Sequence, residues 1–167
     1  MGANISPVGD PASATKRLFK IGAAEASGTA FRWLGDQRAV DFIFPGHNVG
    51  TERFSDGPED KSVKLTGSSP ATALASGLAA VILYCVQVAA KSGRAKGITM
   101  EDFRALKQHD RMRDAFLALG TTDESEKKYI AVWDRFRPVT KKAESEPRDR
   151  WVDVLATFSE LWKIRHL

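Results

Sequence analysis

A chain of 167 residues, 43% of them hydrophobic, is long enough to bury one core of ordinary size, and its single cysteine excludes an intrachain disulfide framework. The net charge of +4 lies entirely after residue 90, where both signs are mixed along the chain. That pattern describes solvated helical faces and argues against the clustered basic stripe of a nucleic-acid binder.

Residues 1–66 read as strands and loops, with strands expected at Leu18–Ala24 and Val40–Phe44. The second is almost wholly apolar, as a strand buried on both faces must be. Gly46–Asp60 is polar and rich in turn residues, which predicts a surface loop, and Ser62–Thr66 predicts a short strand leading into Gly67. Pro70–Ala90 predicts a long helix, ended by Ser92-Gly93 and Gly97. Its length approaches a membrane span, but alanine dominates it and Thr72, Ser76 and Gln87 interrupt it, so a buried central helix is expected. Cys85 lies within it and reads as a small core hydrophobe.

The remainder reads as helical. Thr99-Met100-Glu101-Asp102 is a capping box, with Phe103 and Leu106 following on one face. Arg111–Leu119 spaces Met112, Ala115, Phe116 and Leu119 as a helix does, and Gly120 closes it. Ser125–Phe136 sets Tyr129, Val132, Trp133 and Phe136 on one helical stripe. Residues 137–149 are charged, contain two prolines and read as a linker, and Trp151–Ile164 places Val154, Leu155, Phe158, Leu161 and Trp162 on one face. These aromatic stripes are read as core or partner-facing surfaces.

The N-terminal Met1-Gly2-Ala3-Asn4-Ile5-Ser6 has no apolar h-region, so no secretory signal is read and a cytoplasmic setting is expected. It matches the loose N-myristoylation pattern, and Asn4-Ile5-Ser6 is a sequon that matters only in a secreted protein. No histidine–cysteine cluster has metal-ligand spacing and no glycine-rich nucleotide loop is present, so no cofactor or metal is expected.

The segment richest in chemistry is Gly67-Ser68-Ser69-Pro70-Ala71. A Gly-Ser-Ser corner opening onto small apolar residues places a serine hydroxyl at a helix start. There, free backbone N–H groups and the helix dipole favour a developing negative charge. Gly67 permits a sharp turn, and Pro70 suits the first helical position. Ser69 at such a point serves either as a nucleophile or as a plain N-cap.

Ile21-Gly22-Ala23, then Phe44-Pro45-Gly46, then Gly67-Ser68-Ser69-Pro70-Ala71 with Gly77 and Ala79-Ala80 beyond it, resemble in order the C-terminal part of the catalytic domain of subtilisin-like serine proteases (subtilases), most closely the divergent fungal ones. The resemblance covers roughly the first ninety residues. It implies a partial subtilisin-like α/β fold, with a parallel sheet and a central buried helix over residues 1–92, followed by a helical extension over 93–167. It also implies that Ser69 is the nucleophile of a serine endopeptidase, with its own backbone amide as one oxyanion donor. Ser68 replaces the family's threonine, Pro70 its methionine, Ala73 a common proline and Leu74 a common histidine.

The triad's aspartate and histidine have no counterpart upstream of Ser69. His47 sits in a Pro-Gly-His-Asn loop unlike the family's His-Gly motif, and Asn4 is displaced from the oxyanion asparagine position near Gly2. A triad acts as a unit, so the chain by itself is expected to have no useful peptidase activity. Its partners would be a peptide or protein substrate once missing segments complete the site, or a protein bound by a non-catalytic module of the same descent, with neither nucleic acid nor membrane. An unrelated small α/β protein, with Ser69 only capping a helix, is the third reading.

Overall fold

In the computed structural model the described residues are 18–29, 39–51, 63–93, 97–120, 129–131 and 133. They form a mixed α/β arrangement around two short parallel strands, β1 (Ile21–Ala24) and β2 (Phe42–Pro45). Ile21 faces Phe42 and Ala24 faces Pro45 across the pair. Asp41 fixes the entry: its carboxylate accepts the Lys20 N–H at 2.9 Å, while its own N–H donates to the Lys20 carbonyl at 2.8 Å.

Side chains alternate across a strand, so the two faces of this sheet are distinct. Ala23, Phe42 and Phe44 face the main core; Ala24 and Ile43 face the opposite way, onto Tyr129 and Ala131. Burial on both faces explains why Phe42–Pro45 is apolar throughout.

An antiparallel hairpin comes next, β3 (Val49–Thr51) with β4 (Val63–Leu65), in the register Val49 to Leu65. β4 matches the strand expected within Ser62–Thr66. β3 corrects the reading of Gly46–Asp60 as loop alone: three residues of it pair with a strand more than ten positions away, and so short a segment shows no period by itself.

Helix α1 runs from Ser68 to Ser92 and ends at Gly93, whose left-handed φ of 63° suits a C-cap glycine. It begins two residues before the expected start, so Pro70 occupies the third helical position. Its missing N–H still falls among those that the first turn leaves without an intrahelical acceptor. Ala71, Ala75, Leu78, Ile82, Cys85, Val86 and Ala89 recur at intervals of three and four and form the buried face, which lies on β1, β2 and the next helix. This corrects the expectation of a buried central helix: among the described residues nothing covers the opposite face, where Leu74, Val81 and Tyr84 are exposed. The small residues come first, so the N-terminal half of α1 approaches the strands closely. Burial pushes the Cys85 thiol up, in keeping with a packing role.

Helix α2 (Met100–Leu106) opens on the expected capping box. The Thr99 hydroxyl accepts from the Asp102 N–H at 3.3 Å, and the Asp102 carboxylate accepts from the Thr99 N–H at 2.7 Å. Thr99→Ala removes the first of these bonds and is expected to cost about 1 kcal/mol in a denaturant melt. Helix α3 (His109–Leu119) buries Met112, Phe116 and Leu119, the stripe read from the sequence, and Gly120 caps it. Residues on both sides of position 92 share one core: Phe42, Phe44, Ile82, Leu106 and Phe116 belong to a single cluster.

After α3 the chain returns to the sheet. Tyr129 bridges Ile43 in the parallel sense, and the Ile130 N–H donates to the Ile43 carbonyl at 3.0 Å. This corrects the helical reading of Ser125–Phe136 at Tyr129, Ile130 and Ala131. All three are buried in succession, as a strand covered on both faces is and an amphipathic helix is not. Trp133, just beyond them, is helical. Asn4, the linker expected over 137–149 and the helix expected over Trp151–Ile164 lie outside the described residues.

Candidate active site

The two parallel strands end at the same level, and the residues just past each end form one rim. Glu25 comes directly after β1; Gly46 and His47 come after β2; Gly67, Ser68 and Ser69 come after the hairpin. A ladder of backbone bonds ties the three together. The Gly46 N–H donates to the Ala24 carbonyl at 2.8 Å, and the Gly67 N–H donates to the Gly46 carbonyl at 2.7 Å. The helix start is thereby anchored to the carboxyl ends of β1 and β2, the place where open parallel sheets bind ligands.

Two glycines make this approach possible, each for its own reason. Gly67 is the N-cap residue and has φ 133° and ψ −173°, a backbone conformation that side chains rarely adopt. Gly46 is required by space: a Cβ there would sit 2.6 Å from the Ala23 Cβ and 2.6 Å from the Gly67 carbonyl oxygen.

Ser68 and Ser69 are the first two residues of α1 and both are exposed. The cap position belongs to Gly67, and no side-chain hydrogen bond caps the helix start. The hydroxyl of Ser69 therefore stands in the positive field of the first-turn amides, with no acidic residue in that turn to offset it.

His47, set aside in the sequence because its loop does not match the His-Gly motif, meets Glu25, which no sequence motif singled out. The His47 Nδ1 lies 3.9 Å from the Glu25 carboxylate, and both side chains are partly exposed at the rim that carries the serines. The signal for their meeting was present in the strand order: with β1 and β2 adjacent and parallel, the residues just after each must share an end. Asn48 continues the turn with φ 53°, and its N–H donates to the Thr66 hydroxyl at 3.0 Å. Among the described residues, no group of three histidine, cysteine or acidic side chains could hold a metal ion.

No family model, no curated protein and no solved structure matches this chain.

Proposed function

We propose that this chain carries the nucleophile half of a subtilisin-like serine endopeptidase site, with Ser69 as the attacking hydroxyl. In that chemistry the Ser69 Oγ gives its proton to a general base and bonds to the carbonyl carbon of a peptide. The leaving amine takes the proton, and water then releases the acyl group from the serine. One observation carries the reading: an exposed Ser69 on the first turn of a helix whose inner face packs on the sheet, fastened through Gly67 to the carboxyl ends of two parallel strands. The amide of Ser69, in the first turn, has no intrahelical acceptor and suits an oxyanion donor.

The acidic and basic partners of the family's triad have no counterpart among the motifs of this sequence, so the chain by itself is proposed to be an incomplete site. A fluorophosphonate probe is expected to leave Ser69 of this chain unlabelled on the timescale of an intact serine protease, and to label it in a longer polypeptide that supplies those partners. Rapid labelling of the chain alone overturns the inactive reading; failure in both forms overturns the catalytic one. Ser69→Ala is expected to leave the unfolding free energy nearly unchanged, because Gly67 holds the cap position; a loss of about 1 kcal/mol would return Ser69 to a capping role.

A second reading, a non-catalytic protein-interaction module of the same descent, has its own support. The outer face of α1 exposes Leu74, Val81 and Tyr84, the last at 55%. Apolar side chains aligned on one helix face mark a surface that another polypeptide can cover. By length and composition the same helix could also cross a membrane, and only a third of its most apolar window is buried in the fold.

A further inference from the structure

We infer that Tyr129 is a positioning residue of the serine corner, acting through the turn that comes after β1. The inference rests on the proposed role of the Gly67–Ser69 corner, and the bonds that carry it run without a gap from one to the other. The Tyr129 hydroxyl lies 3.1 Å from the Ala26 carbonyl and 3.3 Å from the Glu25 carbonyl, and its one proton is shared between them. Its ring closes on Gly28, where a Cβ would meet Cδ1 at 3.0 Å, and Gly28 itself has φ 89°. The turn is knit internally by the Gly28 N–H to the Glu25 carbonyl and the Glu25 N–H to the Thr29 carbonyl, both at 3.0 Å.

Ala24, the residue before this turn, accepts the Gly46 N–H, and Gly46 accepts the Gly67 N–H. From the same turn the Glu25 carboxylate reaches His47. Tyr129 thus holds one wall of the rim, and the rim holds the start of α1. Tyr129 is itself fixed by the Ile43 bridge, so a residue far along the chain sets the geometry beside Ser69.

Amide hydrogen exchange of the full chain tests this. Tyr129→Phe keeps the ring on Gly28 and removes only the hydroxyl. Exchange at the Gly67 amide is expected to quicken roughly fivefold, the worth of one neutral hydrogen bond, while amides deep in α3 such as those of Phe116 and Leu119 keep their rates. Gly28→Ala, which presses on the Tyr129 ring from the other side, is expected to give the same pattern. An unchanged Gly67 rate in both variants, or an equal rise at Gly67 and in α3, overturns the inference: the first denies the coupling and the second reduces Tyr129 to general stability. Because no acyl chemistry enters the measurement, a responding Gly67 with a Ser69 that stays unlabelled both in this chain and in the longer polypeptide would count against the catalytic reading alone.

Discussion

Phe116→Ala is expected to lower the unfolding free energy by about 4 kcal/mol. Phe116 is 1% exposed and stands where the helical and sheet layers meet. Its ring lies edge-on to Phe42 at 5.2 Å and to Phe44 at 5.7 Å, and it meets Phe19 at 5.7 Å. Phe19 also stacks on His109, at the start of the same helix, at 4.3 Å. Removing the Phe116 ring therefore leaves a cavity bounded by three other phenylalanines, two on β2 and one on the approach to β1. The two rings on β2 are held by strand pairing and cannot collapse far into it, so transfer and cavity costs add. Urea denaturation of the purified chain measures the effect. A loss below about 1 kcal/mol would mean that α3 is not fastened to the sheet through this cluster.

How much of this architecture was legible depends on the range of each signal. Val40–Phe44 announced a buried strand because nearly every side chain in it is apolar, and β2 is buried throughout. The capping box at Thr99 and the stripe of Met112, Phe116 and Leu119 are local patterns, and both match the structure. The Gly67–Pro70 corner was legible as a helix start, though not its first residue, because two serines and a proline are each tolerated at several first-turn positions. Pairing at a distance stayed hidden. Tyr129, Val132, Trp133 and Phe136 fit a helical spacing, yet Ile43 offers a strand edge, and three successive buried residues satisfy it better than an amphipathic helix would. β3 was missed for the same reason: Val49 gains its partner, Leu65, only when the hairpin closes.

The candidate site divides likewise. Ser69 could be named from five contiguous residues, whereas the neighbourhood of Glu25 and His47 depends on two strands lying side by side in one direction. Tyr129 was further out of reach, since its contacts to Glu25 and Ala26 span more than a hundred residues. Non-local contacts of this kind cost loop-closure entropy, and no short motif reports them.

Gly46→Ala and Gly77→Ala are expected to move stability in opposite directions, and the contrast tests whether the serine corner is held by close backbone approach. Both replace hydrogen with methyl, and both restrict the unfolded chain by a similar amount. At Gly77, on the outer face of α1, a Cβ meets nothing within 4 Å, so the helix is expected to gain about 1 kcal/mol. At Gly46 the Cβ meets the Ala23 side chain and the Gly67 carbonyl oxygen at 2.6 Å each. Neither neighbour is the far end of a flexible chain: one is a methyl on a buried strand, the other the backbone of the helix start. The methyl must push α1 away from β1 and stretch the 2.7 Å bond from the Gly67 N–H to the Gly46 carbonyl. Overpacking of this kind is expected to cost about 3 kcal/mol, and the displacement should fall on Ser68 and Ser69 before it reaches α3. In a longer polypeptide that supplies the proposed triad partners, Gly46→Ala should therefore depress the proposed acylation of Ser69 even at temperatures where the variant stays folded. Should Gly46→Ala prove as harmless as Gly77→Ala, the helix start would not lie against the ends of β1 and β2, and Ser69 would lose the rim on which its proposed chemistry depends.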